Sequence, residues 1–125
     1  MAKALGKKTW LVPDCYWPEI TTEGHYVSHE AICVLNTGDE DATVHITLFF
    51  EDREPLDNFY AKCGARRTHH IRMDKLLDTA GAHIPMGTPY AALVESNVEI
   101  VAQYSRIDTT QVNETLATTI AYALD

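Results

Sequence analysis

No stretch of this 125-residue chain approaches the roughly 20 consecutive apolar residues that a helix needs to cross a bilayer. The opening MAKALGKKTW has lysines but no apolar run behind them, which reads as no signal peptide and predicts a cytoplasmic protein. Any membrane association is then expected to come through a partner. Positive charge is also scarce. Ten Lys and Arg stand against eighteen Asp and Glu, a net charge of −8, so binding to nucleic acid is disfavoured overall. Cysteine is limited to Cys15, Cys33 and Cys63, odd in number and far apart, with no Cys-x-x-Cys pair. Free thiols in a reducing compartment fit that set better than a disulfide framework. There is no Gly-x-Ser-x-Gly elbow and no Gly-rich phosphate loop of either common type, so no residue is assigned a catalytic role and no cofactor is expected.

What is present is strand pattern. A hydrophobic content of 46% with 22% charged residues is that of a globular protein, and the length suits one domain spanning residues 1–125 with a single core. Val44, Ile46, Leu48 and Phe50 alternate with Thr43, His45, Thr47 and Phe49, the strongest period-two signal in the chain. A strand is expected upstream from Tyr26 to Asn36. NTGDED (36–41) has the turn chemistry of a hairpin, with Gly38 able to take positive φ.

Thr9–Val12 reads as a first strand ended by Pro13, with Trp10 packed or lining a cleft, and residues 13–24 read as a loop. A strand pair is expected over Phe59–Cys63 and Ala65–Met73, joined at Gly64. MDKLLDTAG then allows a single helical turn capped by Asp74. Further strands are expected over Tyr90–Glu95 and Val98–Ile107, around Ser96-Asn97. In the C-terminal stretch Val112, Leu116 and Ile120 have helical spacing, while Leu116, Thr118, Ile120 and Tyr122 alternate; the Thr and Ile content favours a strand. Many short strands and no long helix predict an all-β, antiparallel β-sandwich whose edges need cover or a partner chain.

Three groups of residues invite a chemical reading. His29 and Cys33 share a strand face but stand about 13 Å apart at about 3.3 Å per residue, too far to hold one zinc ion. With His45 on another strand, no metal site is expected. ARRTHHIR (65–72) concentrates Arg66, Arg67, His69, His70 and Arg72. It reads either as an anion or carboxylate site or as a solvated strand pairing with the chain's own acids. In AQYSRID (102–108), Gln103 and Arg106 fall on opposite faces. Arg106 ends the apolar face of Val98, Ile100, Ala102 and Tyr104, where a charge wants a partner, and Glu30 is the candidate. The alternatives are a structural salt bridge and a ligand cleft rimmed by Trp10, Glu30 and Arg106.

SHEAICVLNTGDEDATVHITLFFEDREP, ARRTHHIRMDKL, SNVEIVAQYSRID and TTIAYAL, in that order, resemble the Anabaena sensory rhodopsin transducer family over nearly the whole chain. The resemblance implies a small soluble β-sandwich that assembles as a homotetramer and signals without catalysis, as the cytoplasmic partner of a membrane rhodopsin or another protein. It also implies an alternative, a module for a sugar-like ligand that would use Trp10 as a stacking platform. The positions matching the family are His29, Glu30, Asn36, Asp39, Arg66, Arg67, Gln103 and Arg106. With Trp10, the expected ligand or partner residues are His29, Glu30, Arg66, Arg67, Gln103 and Arg106.

Overall fold

The computed structural model describes residues 1–19, 21, 26–111 and 113–125. The part of the 13–24 loop that falls on residues 20 and 22–24, and Val112 of the C-terminal stretch, lie outside them. Eight strands run in chain order: β1 (Lys7–Cys15), β2 (His29–Asn36), β3 (Ala42–Phe50), β4 (Leu56–Cys63), β5 (Arg67–Arg72), β6 (Tyr90–Asp108), β7 (Thr115–Ile120) and β8 (Tyr122–Leu124). All pairings are antiparallel, and no helix occurs among the described residues. The all-β expectation is met.

The strands form two sheets that share β6. One runs β4-β3-β6-β1-β8; the other runs β5-β2-β6-β7. Ser96-Asn97, read as a turn between two strands, instead lies within one continuous strand of 19 residues. Its first half pairs with β1 and β3 and its second half with β2 and β7. Along β1 the partner jumps from Glu95 at Thr9 to Ile100 at Lys7, so β6 bulges through 96–99 as it changes sheets. Within this bulge the Asn97 Oδ1 accepts the Thr43 N–H at 2.7 Å, tying β6 to the start of β3. Gly6, at φ +108°, passes so close that an added Cβ would lie 1.9 Å from the Ile100 carbonyl oxygen.

Two expected hairpins are absent for a related reason. β2 and β3 do not pair with each other, nor are β4 and β5 partners; the segments after Asn36 and after Cys63 are arches that carry the chain from one sheet to the other. Turn chemistry marks a reversal but not whether the flanking strands land in one sheet. Asn36 is fully buried and ties the arches together. Its Nδ2 donates to the carbonyls of Glu40 (2.7 Å), Cys63 (3.2 Å) and Gly64 (3.3 Å), and its Oδ1 accepts the Gly38 N–H (3.0 Å). The left-handed residue here is Arg66, at φ 55°, not Gly38. Gly38 is instead closely approached by the N-terminal segment: a Cβ there would meet Ala4 Cβ at 3.1 Å, so Ala4 would have to give by a few tenths of an ångström.

Strand bounds differ elsewhere for local reasons. β1 continues through Pro13 to Cys15 because its register slips between Val12 and Cys15, an irregularity that tolerates a residue without an N–H. After β5 the chain makes one turn, with the Leu76 N–H bonded to the Arg72 carbonyl at 3.0 Å. Asp74 does not cap it; its carboxylate takes the Arg72 fork. The C-terminal stretch is strand, broken at buried Ala121, where the chain again moves from one sheet to the other.

Alternation places the core. Val44, Ile46 and Leu48 of β3, Ile32 and Val34 of β2, and Val94, Ile100 and Ala102 of β6 are buried between the sheets with Phe59 and Met73. Trp10 belongs to this core as well.

Candidate functional site

The opposite face of β2 carries His29, Ala31, Cys33 and Leu35, and register sets it beside Arg72, His70 and Thr68 of β5. On the other side it meets Ile107, Ser105, Gln103 and Val101 of β6. His29, Ala31, Cys33, His70, Arg72, Gln103 and Ser105 line a shallow polar depression on this outer face. His29 Nδ1 is 2.8 Å from the Val27 carbonyl, and the Gln103 amide donates to Thr118 Oγ1 at 2.9 Å. Arg72 grips Asp74 with two hydrogen bonds of 2.8 Å. Burial pushes the Asp74 carboxyl up, but the Arg72 guanidinium outweighs it and holds the group below its ordinary range.

The inner face holds a different constellation. Glu30 is fully buried between the sheets. One carboxylate oxygen accepts the Tyr104 hydroxyl and the Tyr16 N–H (2.9 Å); the other accepts the Tyr90 hydroxyl (2.5 Å). Burial raises the Glu30 pKa above the usual glutamate value, and these donors together with the Arg106 charge offset part of the rise. Burial pushes up the Cys15 thiol and both tyrosine hydroxyls in turn, and the Glu30 charge adds to each. The result is a closed polar cluster with an acid at its centre.

Arg106 stands directly opposite Glu30 in the β2–β6 register, yet the expected ion pair between them does not form. The tyrosines and the Tyr16 N–H occupy the Glu30 oxygens, and the Arg106 guanidinium lies over the Tyr104 ring, 5.9 Å from its centroid. Its acidic neighbour is Asp14, at 3.7 Å. Both line a groove of about 410 Å³ between β1 and the C-terminal strands, with Tyr104 in its floor. Tyr104 therefore presents its ring to the groove and its hydroxyl to Glu30.

The sequence-expected residues are thus divided among four places. Glu30 and Arg106 meet through Tyr104, and His29 and Gln103 share the outer face. Trp10 is buried, with its indole N–H donated to the Lys7 carbonyl at 3.0 Å, which leaves no open ring for stacking. Arg66 and Arg67 lie at the far end of β5. Arg67 pairs with Asn36, six residues along β2 from Glu30, or about 20 Å. The arginine that does reach His29's face is Arg72. Nothing in the sequence pattern singles out Tyr90, Tyr104 or Cys15; their hydroxyls and thiol converge only through pairings between distant parts of the chain. His45 is elsewhere again, stacked on Tyr60 at 4.6 Å. Among the described residues no group of three or more His, Cys, Asp or Glu side chains is assembled as a metal site.

Comparison with known proteins gives a consistent result. The family model described as Anabaena sensory rhodopsin transducer matches residues 5–123. The crystal structure of Thermotoga maritima 1070 is 39% identical in sequence, covers 95% of this chain and 96% of its own, and superposes with a TM-score of 0.84. The Anabaena sensory rhodopsin transducer is also 39% identical, over 88% of this chain and 96% of its own, with a TM-score of 0.76. The comparison with curated proteins finds no match.

Proposed function

The chain belongs to the Anabaena sensory rhodopsin transducer family, and from that membership we propose that it is a cytoplasmic, non-enzymatic signalling protein that docks on a membrane rhodopsin or another protein partner. The observation that carries this reading is the agreement of sequence and fold over nearly the whole chain with a protein named as a transducer. Among the described residues no helix is long and apolar enough to cross a membrane, in keeping with a partner that supplies the membrane attachment. The outer face around His29, His70, Arg72 and Gln103 supports the docking role, since it offers hydrogen-bonding groups on a rigid sheet rather than on loops.

Four copies are proposed to assemble. β7 is an edge strand whose residues are all exposed, with Leu116 at 73% and Ile120 at 63%. An unpaired edge with apolar side chains favours cover by another subunit. Co-sedimentation with proteoliposomes containing Anabaena sensory rhodopsin, against rhodopsin-free vesicles of the same lipid, tests the docking. Recovery of the chain with the rhodopsin vesicles alone is expected; equal recovery from both refutes docking on this rhodopsin.

A second reading, a ligand-binding module, is favoured by the groove above Tyr104. Its volume falls in the range of about 300–1,000 Å³ typical of small-molecule sites. The sugar-like ligand expected for such a module would use Tyr104 rather than Trp10 as its aromatic contact.

A further inference from the structure

From the groove between β1 and the C-terminal strands we infer a binding site for a small amphipathic carboxylate. The acid group sits on Arg106, and the apolar body lies along Leu11, Pro13, Ala117 and Tyr122 over the Tyr104 ring. This rests on the ligand-binding reading and names its ligand class.

The polar groups of the groove decide the class. A sugar presents hydroxyls around its ring and needs a partner for most of them, because a polar group buried without one is costly. Three of the four side-chain hydroxyls in the groove lining are already engaged, and the fourth belongs to Tyr122, which is 66% exposed. Thr118 Oγ1 is bonded to Gln103 and Ser105, Thr119 Oγ1 donates to the Ile120 carbonyl, and the Tyr104 hydroxyl is committed to Glu30. What remains is one charged end, where Arg106 meets Asp14, and the Tyr122 hydroxyl on otherwise mostly apolar walls. That pattern suits a ligand with one ionic head and one hydrophobic body.

The sign of the head follows from how Arg106 and Asp14 are held. The Arg106 side chain is only 23% exposed and rests over the Tyr104 ring, whereas Asp14 is 88% exposed and approaches no closer than 3.7 Å. A contact that long to a solvated carboxylate is weak and easily exchanged. The guanidinium fork can then engage a ligand carboxylate through two parallel hydrogen bonds, in surroundings drier than those of Asp14. An occupant would touch the side chain whose hydroxyl holds the buried Glu30, so binding has a direct route into the core cluster.

Calorimetric titration of the full chain with octanoate, octanol and glucose tests this. Octanoate should bind saturably and at least tenfold more tightly than octanol, and Arg106→Gln should abolish that preference. If Arg106→Gln does not fold, Ala117→Phe serves instead: it sits at an exposed position, fills the groove, and should abolish octanoate binding with Arg106 intact. Equal affinity for octanoate and octanol, or full octanoate affinity in either folded variant, overturns the assignment. Binding of glucose without octanoate overturns the carboxylate class but leaves the ligand-binding reading standing. Absence of binding by all three probes removes both.

Discussion

At the scale of single residues, Glu30 concentrates the chemistry. Its position on the buried face is legible in the sequence, because it alternates with Ile32 and Val34. Its partners are not, since Tyr16, Tyr90 and Tyr104 reach it only through the fold. Arg106 shows the same limit: the strand pattern places it at the end of an apolar face, while the competition for Glu30's oxygens, which leaves it beside Asp14 and the Tyr104 ring, is invisible to periodicity. Burial lifts the folded-state pKa of Glu30 above the ordinary value near 4.5. The folded chain therefore binds that proton more tightly than the unfolded one. The group's contribution is fully present below about pH 4.5 and is lost as pH rises through the folded-state value. Glu30→Gln keeps the shape and removes the titration. Urea denaturation between about pH 4 and pH 8 should show the stability difference moving in the variant's favour as pH rises. A difference that stays constant over that range would rule out a raised pKa at this site.

At the scale of elements, existence and face were readable while pairing was not. The β3 alternation foretold the buried row of Val44, Ile46 and Leu48. Yet NTGDED and Gly64 read as hairpin turns, because a sequence shows that the chain reverses and not which sheet receives it. The structure makes these segments arches, and Asn36 the peg between them. Asn36→Ala should cost about 3 kcal/mol, since it leaves several buried backbone groups short of a partner. Denaturant unfolding checks it, and a loss below about 1 kcal/mol would show that water replaces the amide. The β6 bulge yields a companion expectation. Gly6→Ala places a Cβ against the Ile100 carbonyl and asks alanine for φ +108°, so it should destabilise by more than about 1 kcal/mol, and Gly6→Ser should behave alike. Unchanged stability in both variants would contradict the close approach.

At the scale of the whole molecule, the sequence carried the family through four ordered segments, while assembly and docking are matters of surface that no periodicity encodes. Light scattering of the intact chain should give about four times its 14.0 kDa mass. Leu116→Lys with Ile120→Lys should shift the population to smaller species, because it charges the edge that β7 offers. A monomer for the wild-type chain, or a tetramer untouched by the double substitution, would remove β7 from the interface. Docking through the outer sheet face is the claim on which the proposed signalling role depends. Its most direct test is calorimetric titration of the chain into nanodiscs holding Anabaena sensory rhodopsin, with empty nanodiscs as blank. Saturable binding by the wild-type chain is expected, with at least a tenfold loss for His29→Ala combined with Gln103→Ala and no loss for Arg53→Ala, which lies away from that face. No binding by the wild-type chain, or full affinity in the His29 and Gln103 variant, would contradict it.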